Sequence, residues 1–161
     1  ILEFTQGAQG AFVLGATDYA AFVQQLIEDI SAEVDLKSVT LELENPPPSV
    51  KLLLNPQRLA RVFYNLISNA TDAMPDGGKV ILRFHENEKE IVTENEDTGP
   101  GIAPEIADNL FEAFATYGKT HGTGLGLSIS KKIIEDHHGW ISARNKRNRG
   151  AIFSFTLPRQ P

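Results

Sequence analysis

Asp97-Thr98-Gly99-Pro100-Gly101 and Gly122-Thr123-Gly124-Leu125-Gly126 decide the reading of this chain; they lie about twenty residues apart, with Phe111 and Phe114 between them. Glycines at alternate positions let a backbone turn tightly and come close to a ligand. The second cluster leads into an apolar-periodic segment, Leu125 to Ile134, that predicts a helix whose first amides can face phosphate. Either cluster alone is a weak signal, since a stray G-x-G is usually only a turn. Together, and beside the helix that precedes them, they point to a nucleotide pocket. The loop Ala115 to His121, carrying Tyr117, Lys119 and His121, is its candidate movable cover.

That preceding helix starts at Asn55-Pro56, a good N-cap followed by a residue suited to the first helical position. Leu59, Val62, Phe63, Leu66, Ile67, Ala70, Ala73 and Met74 then recur at three- and four-residue steps as one apolar stripe. Arg58, Asn65, Asn69 and Asp72 fall along one edge of it, where a helix passes from core to cleft. Two asparagines one turn apart are either ordinary solvated residues or kept for a chemical task. Their poor fit to a helix interior favours the task.

Upstream, Ala11 to Leu14 predicts a short strand, and Thr17 or Asp18 can cap a core helix carrying Tyr19, Phe22, Val23, Leu26, Ile27 and Ile30. Ser38 to Glu44 alternates apolar and polar residues like a half-buried strand, Pro46-Pro47-Pro48 breaks it, and Val50 to Leu54 predicts a second strand. Pro75-Asp76-Gly77-Gly78 closes the asparagine-bearing helix. Lys79 to His85 and Lys89 to Asn95 predict paired strands, with Asp97 ending the second, and Pro104 to Leu110 a short helix. The helix opened by the second glycine cluster stops at Gly139, with His137 on its apolar face; Trp140 to Ala143 and Ala151 to Leu157 predict two closing strands joined by a basic turn.

At 161 residues and 41% hydrophobic, the chain has the size and composition of one globular domain. A formal charge of -6 gives no reason to expect nucleic-acid or anionic-membrane binding. The absence of cysteine excludes a disulfide framework and thiolate metal sites, and fits a reducing compartment. No apolar run approaches membrane-spanning length, and Ile1-Leu2-Glu3-Phe4 lacks the pattern of a secretory signal.

Asn65-Leu66-Ile67-Ser68-Asn69-Ala70, Asp97-Thr98-Gly99-Pro100-Gly101-Ile102, Leu110-Phe111-Glu112-Ala113-Phe114 and Gly122-Thr123-Gly124-Leu125-Gly126-Leu127 resemble, in order and spacing, the N, G1, F and G2 boxes of bacterial sensor histidine kinases. The resemblance covers about Tyr19 to Leu157. It implies the superfamily shared with DNA gyrase, the heat-shock chaperone ATPase and the mismatch-repair ATPase. The expected fold is an α/β two-layer sandwich, a mixed, mostly antiparallel sheet packed on about three helices, with a flexible ATP lid.

The resemblance also implies site roles. Asp97 would accept a hydrogen bond from the adenine amino group, directly and through water, with Gly99, Gly101 and Ile102 shaping the chain around the base. Asn69 would coordinate Mg²⁺ through its side-chain oxygen, as suits a hard cation that keeps waters and phosphate oxygens, and Asn65 would line the same catalytic phosphate region. Gly122, Thr123, Gly124, Leu125 and Gly126 would present backbone amides to the phosphates. Lys119 is either a direct phosphate contact or a solvated loop lysine. The superfamily's hydrolases carry a glutamate general base where this chain has Asn65, so water attack is not favoured. Transfer to a histidine on a separate dimerisation domain is expected instead, resting on positioning and charge neutralisation.

None of the four histidines carries the family's acceptor motif, so that domain is expected to be absent. Residues 1–10 are expected to be the remnant of its second helix, and 11–161 the catalytic and ATP-binding domain. The fragment should bind ATP or ADP as a cytoplasmic monomer without autophosphorylation, and a response-regulator receiver domain is the expected downstream partner. Full-length architecture, anchored in a membrane or not, stays open. Two alternatives use the same boxes: an anti-sigma-type serine kinase and a non-catalytic nucleotide-sensing scaffold. The scaffold reading draws on a departure from the family's pattern. The strand before Asp97 reads Thr93-Glu94-Asn95-Glu96 where relatives are richly apolar, which leaves its burial and the fit of the pocket floor open.

Overall fold

The computed structural model describes residues 12–112 and 126–159. Its elements run β1 (Gly15–Asp18), α1 (Tyr19–Asp35), β2 (Val39–Leu43), β3 (Lys51–Leu54), α2 (Pro56–Asp72), β4 (Gly78–Glu86), β5 (Glu90–Asp97), α3 (Pro104–Ala107), α4 (Gly126–Asp136), β6 (Ile141–Asn145) and β7 (Ala151–Pro158). Five strands form the main sheet in the order β2-β4-β5-β7-β6, antiparallel except for the β2–β4 pair, while β1 and β3 make a separate antiparallel ribbon. This is the expected two-layer sandwich with a mixed sheet.

The period-two patterns of the strands place Val80, Leu82, Phe84, Ile91, Phe153, Phe155 and Leu157 on the inner face, where they share one core with α1, α2 and α4. Phe63 of α2 meets Phe155 edge-on at 5.4 Å between ring centroids, and Tyr19 of α1 meets Phe84 at 6.3 Å. Asp18 caps α1 by accepting from the Ala21 amide, and Asn55 caps α2 by accepting from the Arg58 amide at 3.0 Å with Pro56 in the first turn.

Several element boundaries differ from the sequence reading, and three bear on how the site is framed. The first strand lies at Gly15–Asp18 rather than Ala11 to Leu14, because the backbone becomes strand only where it pairs with β3, Gly15 opposite Leu54. Residue 11 is outside the described residues, and Phe12 turns its ring onto His137 at 5.0 Å. The helix expected over Pro104 to Leu110 stops at Ala107; the chain continues through turns closed by Asn109 N–H to Ile106 O and Glu112 N–H to Asn109 O. The third is the helix placed at Leu125 to Ile134, which runs from Gly126 to Asp136 among the described residues.

His137 is packed on the core side of the end of α4, as its position on the apolar face predicts, but it is held neutral. Its Nε2 accepts from the Asn55 amide at 3.0 Å, and Nδ1 lies 2.8 Å from the Ile133 carbonyl, to which it donates. Burial pushes its pKa below the ordinary histidine value against the pull of that carbonyl. Favourable placement of a cation near a helix C-terminus is therefore overridden by the desolvation of the ring.

The polar run in β5 is buried after all. Glu94 and Glu96 turn to the outer face of the sheet, where Arg83 of β4 reaches Glu44, Glu94 and Glu96, Arg144 reaches Glu94 and Lys146 reaches Glu96. Thr93 and Asn95 turn inward, and Thr93 Oγ1 shares a hydrogen bond with the Tyr19 hydroxyl at 2.7 Å.

Candidate functional site

Strand β5 delivers Asp97 to its carboxyl end with 2% of the residue exposed. The Asp97 Oδ1 accepts from the Gly99 amide at 2.9 Å and from the Ala151 amide at 3.3 Å. The carboxylate is thereby oriented by backbone donors from both the glycine turn and β7. Gly101 takes a φ of +93°, the left-handed region, and so reverses the chain after Pro100. A Cβ there would also fall 2.8 Å from Asn145 Oδ1.

Around this turn the sequence reading missed several residues. Gly150, at φ +100°, lets the β6–β7 hairpin press against Asp97, since a Cβ there would sit 2.1 Å from the Asp97 carbonyl oxygen. Thr98 Oγ1 accepts from the Lys79 amide at 3.0 Å and donates to Met74 Sδ at 3.4 Å. Asn145 grips Ile102 by both backbone groups. The signal available in sequence was the glycine in an otherwise basic turn, which marks a backbone constraint but not its partner.

Helix α2 brings the asparagines to the other side. Asn65 Nδ2 donates to the Gly126 carbonyl at 3.1 Å and to Ser130 Oγ at 3.2 Å, so it ties α2 to the start of α4, the helix the second glycine cluster opens. Asn69 is buried at the end of the apolar stripe, and among the described residues no side-chain hydrogen bond engages its amide. An amide oxygen without a protein partner suits a hard cation that takes most of its ligands from phosphate and water. Among the described residues, no group of three or more carboxylates and histidines could replace it as a metal site. Arg58 does not join the asparagines: its guanidinium lies 5.5 Å from the centre of the Phe12 ring.

The structure thus brings Asn65 to the start of α4, and gathers Asp97, Gly99, Gly101 and Ile102 at the end of β5. Phe111 packs edge-on against Phe153 at 6.3 Å. Lys119, Gly122, Thr123, Gly124 and Leu125, the candidate lid and Phe114 lie outside the described residues, as do residues 1–10. A separate open groove of about 540 Å³ runs between the starts of α1 and α2, lined by Phe22, Leu26, Pro56 and Ala60 among others; it shares no residue with this site.

Comparison with known proteins bears on the family and the fold. Residues 54–161 match the family described as histidine kinase-, DNA gyrase B-, and HSP90-like ATPase. Among curated relatives, Sensor protein KdpD of Clostridium acetobutylicum is 32% identical over 147 residues, covering 84% of this chain and 16% of its own length. Sporulation kinase E of Bacillus subtilis is 32% identical over 137 residues, covering 84% of this chain and 18% of its own. The chain therefore spans less than a fifth of these two relatives. Among solved structures, the nucleotide-free catalytic domain of histidine kinase ThkA superposes with a TM-score of 0.77 at 28% identity, covering 91% of this chain and 95% of that one. Full-length ShkA in complex with AMPPNP superposes with a TM-score of 0.77 at 26% identity, over 94% of this chain and 32% of that one.

Proposed function

The chain belongs to the histidine kinase-, DNA gyrase B-, and HSP90-like ATPase family, and from that membership we propose that it is the cytoplasmic, ATP-binding catalytic region of a sensor histidine kinase. It binds Mg·ATP and passes the γ-phosphoryl group to a histidine nitrogen on a separate dimerisation domain, releasing ADP, for relay to an aspartate of a response regulator. The observation that carries this reading is the buried Asp97 carboxylate, held by the Gly99 and Ala151 amides beside a left-handed glycine turn. A carboxylate fixed in this way accepts a hydrogen bond from the adenine amino group.

Asn69 would hold the Mg²⁺ ion, which neutralises phosphate charge when bound. Asn65 positions the start of α4, where Gly126 ends the second glycine cluster and Gly122, Thr123, Gly124 and Leu125 would meet the phosphates. Lys119 is assigned to the phosphates as well. Support comes from the relatives named as sensor and sporulation kinases and from the likeness to a histidine kinase catalytic domain over nearly its whole length. These relatives favour neither the serine-kinase nor the scaffold alternative. Among the described residues no helix is long and apolar enough to cross a membrane.

Calorimetric titration with a non-hydrolysable ATP analogue and Mg²⁺ tests the reading. Saturable one-to-one binding is expected, with Asp97→Asn weakening it by about tenfold or more, the worth of one hydrogen bond to a charged group. Asn69→Ala should remove the gain in affinity that Mg²⁺ gives. Unchanged affinity in Asp97→Asn overturns the pocket, and equal affinity with and without Mg²⁺ in both wild type and Asn69→Ala overturns the metal role.

A further inference from the structure

Beyond the residues assigned above, we propose that Asn145, at the end of β6, is a positioning residue that gives the site its selectivity for adenine. The inference rests on the nucleotide reading of the Asp97 site. Asn145 Oδ1 accepts from the Ile102 amide at 2.6 Å and its Nδ2 donates to the Ile102 carbonyl at 3.1 Å. One side-chain amide thus satisfies both backbone groups of a residue 43 positions away in sequence, as a neighbouring strand would. Ile102 is buried, so without Asn145 both groups would lose their protein partner at a site with little access to water.

The placement of Asn145 is itself fixed. Its strand neighbours point to the opposite face, where Arg144 pairs with Glu94 at 3.3 Å and Lys146 with Glu96 at 2.6 Å. Those glutamates occupy β5 just before Asp97. Across the hairpin Asn145 is in register with Ala151, whose amide donates to the Asp97 carboxylate, and Lys146 N–H to Gly150 O closes the turn between them. One hairpin therefore holds the segment Asp97 to Ile102 at both ends, at the carboxylate through Ala151 and at the far side of the glycine turn through Asn145. The left-handed turn at Gly101 brings Ile102 round to meet it.

This arrangement makes a specific demand. Asp97 can distinguish an exocyclic amino group from a carbonyl only if the turn that frames the base keeps a fixed distance from the carboxylate. Asn145 sets that distance, and among the described residues its side-chain hydrogen bonds go to Ile102. Its loss should weaken recognition of the base and leave recognition of the phosphates intact.

The test is calorimetric titration of wild type, Asn145→Ala and Asn145→Asp with ADP and, separately, GDP, with the unfolding midpoint of each protein measured alongside. Loss of two hydrogen bonds predicts about tenfold weaker ADP binding by Asn145→Ala, with GDP affinity unchanged, so that the preference for adenine falls. Asn145→Asp is isosteric and keeps the acceptor for the Ile102 amide, but sets an oxygen against the Ile102 carbonyl. It should bind ADP weakly at neutral pH and recover toward wild type measured at the same pH as the pH falls to about 4, where protonation of a carboxyl restores the donor. ADP affinity within twofold of wild type in both variants overturns the proposal, as does an equal loss for ADP and GDP. Should Asn145→Ala fail to fold, the pH recovery of Asn145→Asp, present or absent, decides. A wild type that does not bind ADP removes the nucleotide reading first; a wild type that binds beside variants that bind equally well removes only the role of Asn145.

Discussion

Strand β5 turns Glu94 and Glu96 to the outer face of the sheet and Thr93 and Asn95 into the core, and the two faces accommodate polarity differently. Outside, Arg83 lies between Glu44, Glu94 and Glu96, while Arg144, Lys146 and His85 close the remaining contacts, so that carboxylates buried on a sheet are each paired. Inside, Thr93 meets the Tyr19 hydroxyl, but Asn95 Oδ1 is the one side-chain oxygen or nitrogen among the described residues that is wholly shut off from solvent without a hydrogen-bond partner. The gap beside it, between Phe63, Leu82 and Phe155, has no room for a water molecule. A polar strand can be buried wherever neighbouring strands supply partners. Where the neighbours are an apolar helix face, each polar group costs stability.

The largest test of that contrast removes the hub of the outer face. Arg83→Met leaves Glu94 and Glu96 buried with one cation fewer, and should cost about 3 kcal/mol, the scale of breaking a buried pair from one side. Urea denaturation reads it, and adding Glu96→Gln should restore part of the loss. If Arg83→Met were neutral, the ladder would be a surface decoration. The core face responds in the opposite direction. Asn95→Val removes an unsatisfied buried oxygen at closely similar volume, and should stabilise by about 1–2 kcal/mol. A lower denaturation midpoint would mean that Asn95 is satisfied in solution and that the two faces are alike.

Much of this was legible in the chain because it is written locally. Asn55-Pro56 announces its helix, the apolar stripe from Leu59 to Ala70 its buried face, and Asp97 with its glycines the turn that ends β5. The burial of Thr93 to Glu96 was not legible, since it depends on Arg83 from β4 and on Arg144 and Lys146 from the end of β6 arriving in a register that no single segment reveals. The same holds for Asn145 and Gly150. Their turn reads as a basic hairpin, whereas its role comes from contacts with Ile102 and Asp97 across the fold. Asn65 was read as lining the phosphate region; its hydrogen bonds to Gly126 and Ser130, which no local pattern reveals, make it a tie between helices. The glycines of the second cluster before Gly126 lie outside the described residues.

The smallest effect separates the two faces by pH. Burial alone would raise the pKa of the Glu94 carboxyl, but hydrogen bonds from Arg83, His85 and Arg144 outweigh it and hold the group below the usual glutamate range. Its folded-state pKa is depressed, so its contribution is present above the unfolded value, about 4.3, and is lost as pH falls through the folded one. Tyr19 behaves in the opposite sense. Burial raises its pKa against the bond to Thr93, so its contribution is present below about pH 10 and is lost as pH rises further. The outer face should therefore weaken in acid and the core face in alkali. Urea midpoints measured on both sides of neutrality should show a shallower acid limb in Glu94→Gln and a shallower alkaline limb in Tyr19→Phe, each by at most the share of one proton. If Glu94→Gln flattened neither limb, the acid sensitivity would reside in carboxylates elsewhere. If Tyr19→Phe left the alkaline limb unchanged, the Tyr19–Thr93 pair would be open to solvent, and the core face would be wetter than its packing indicates.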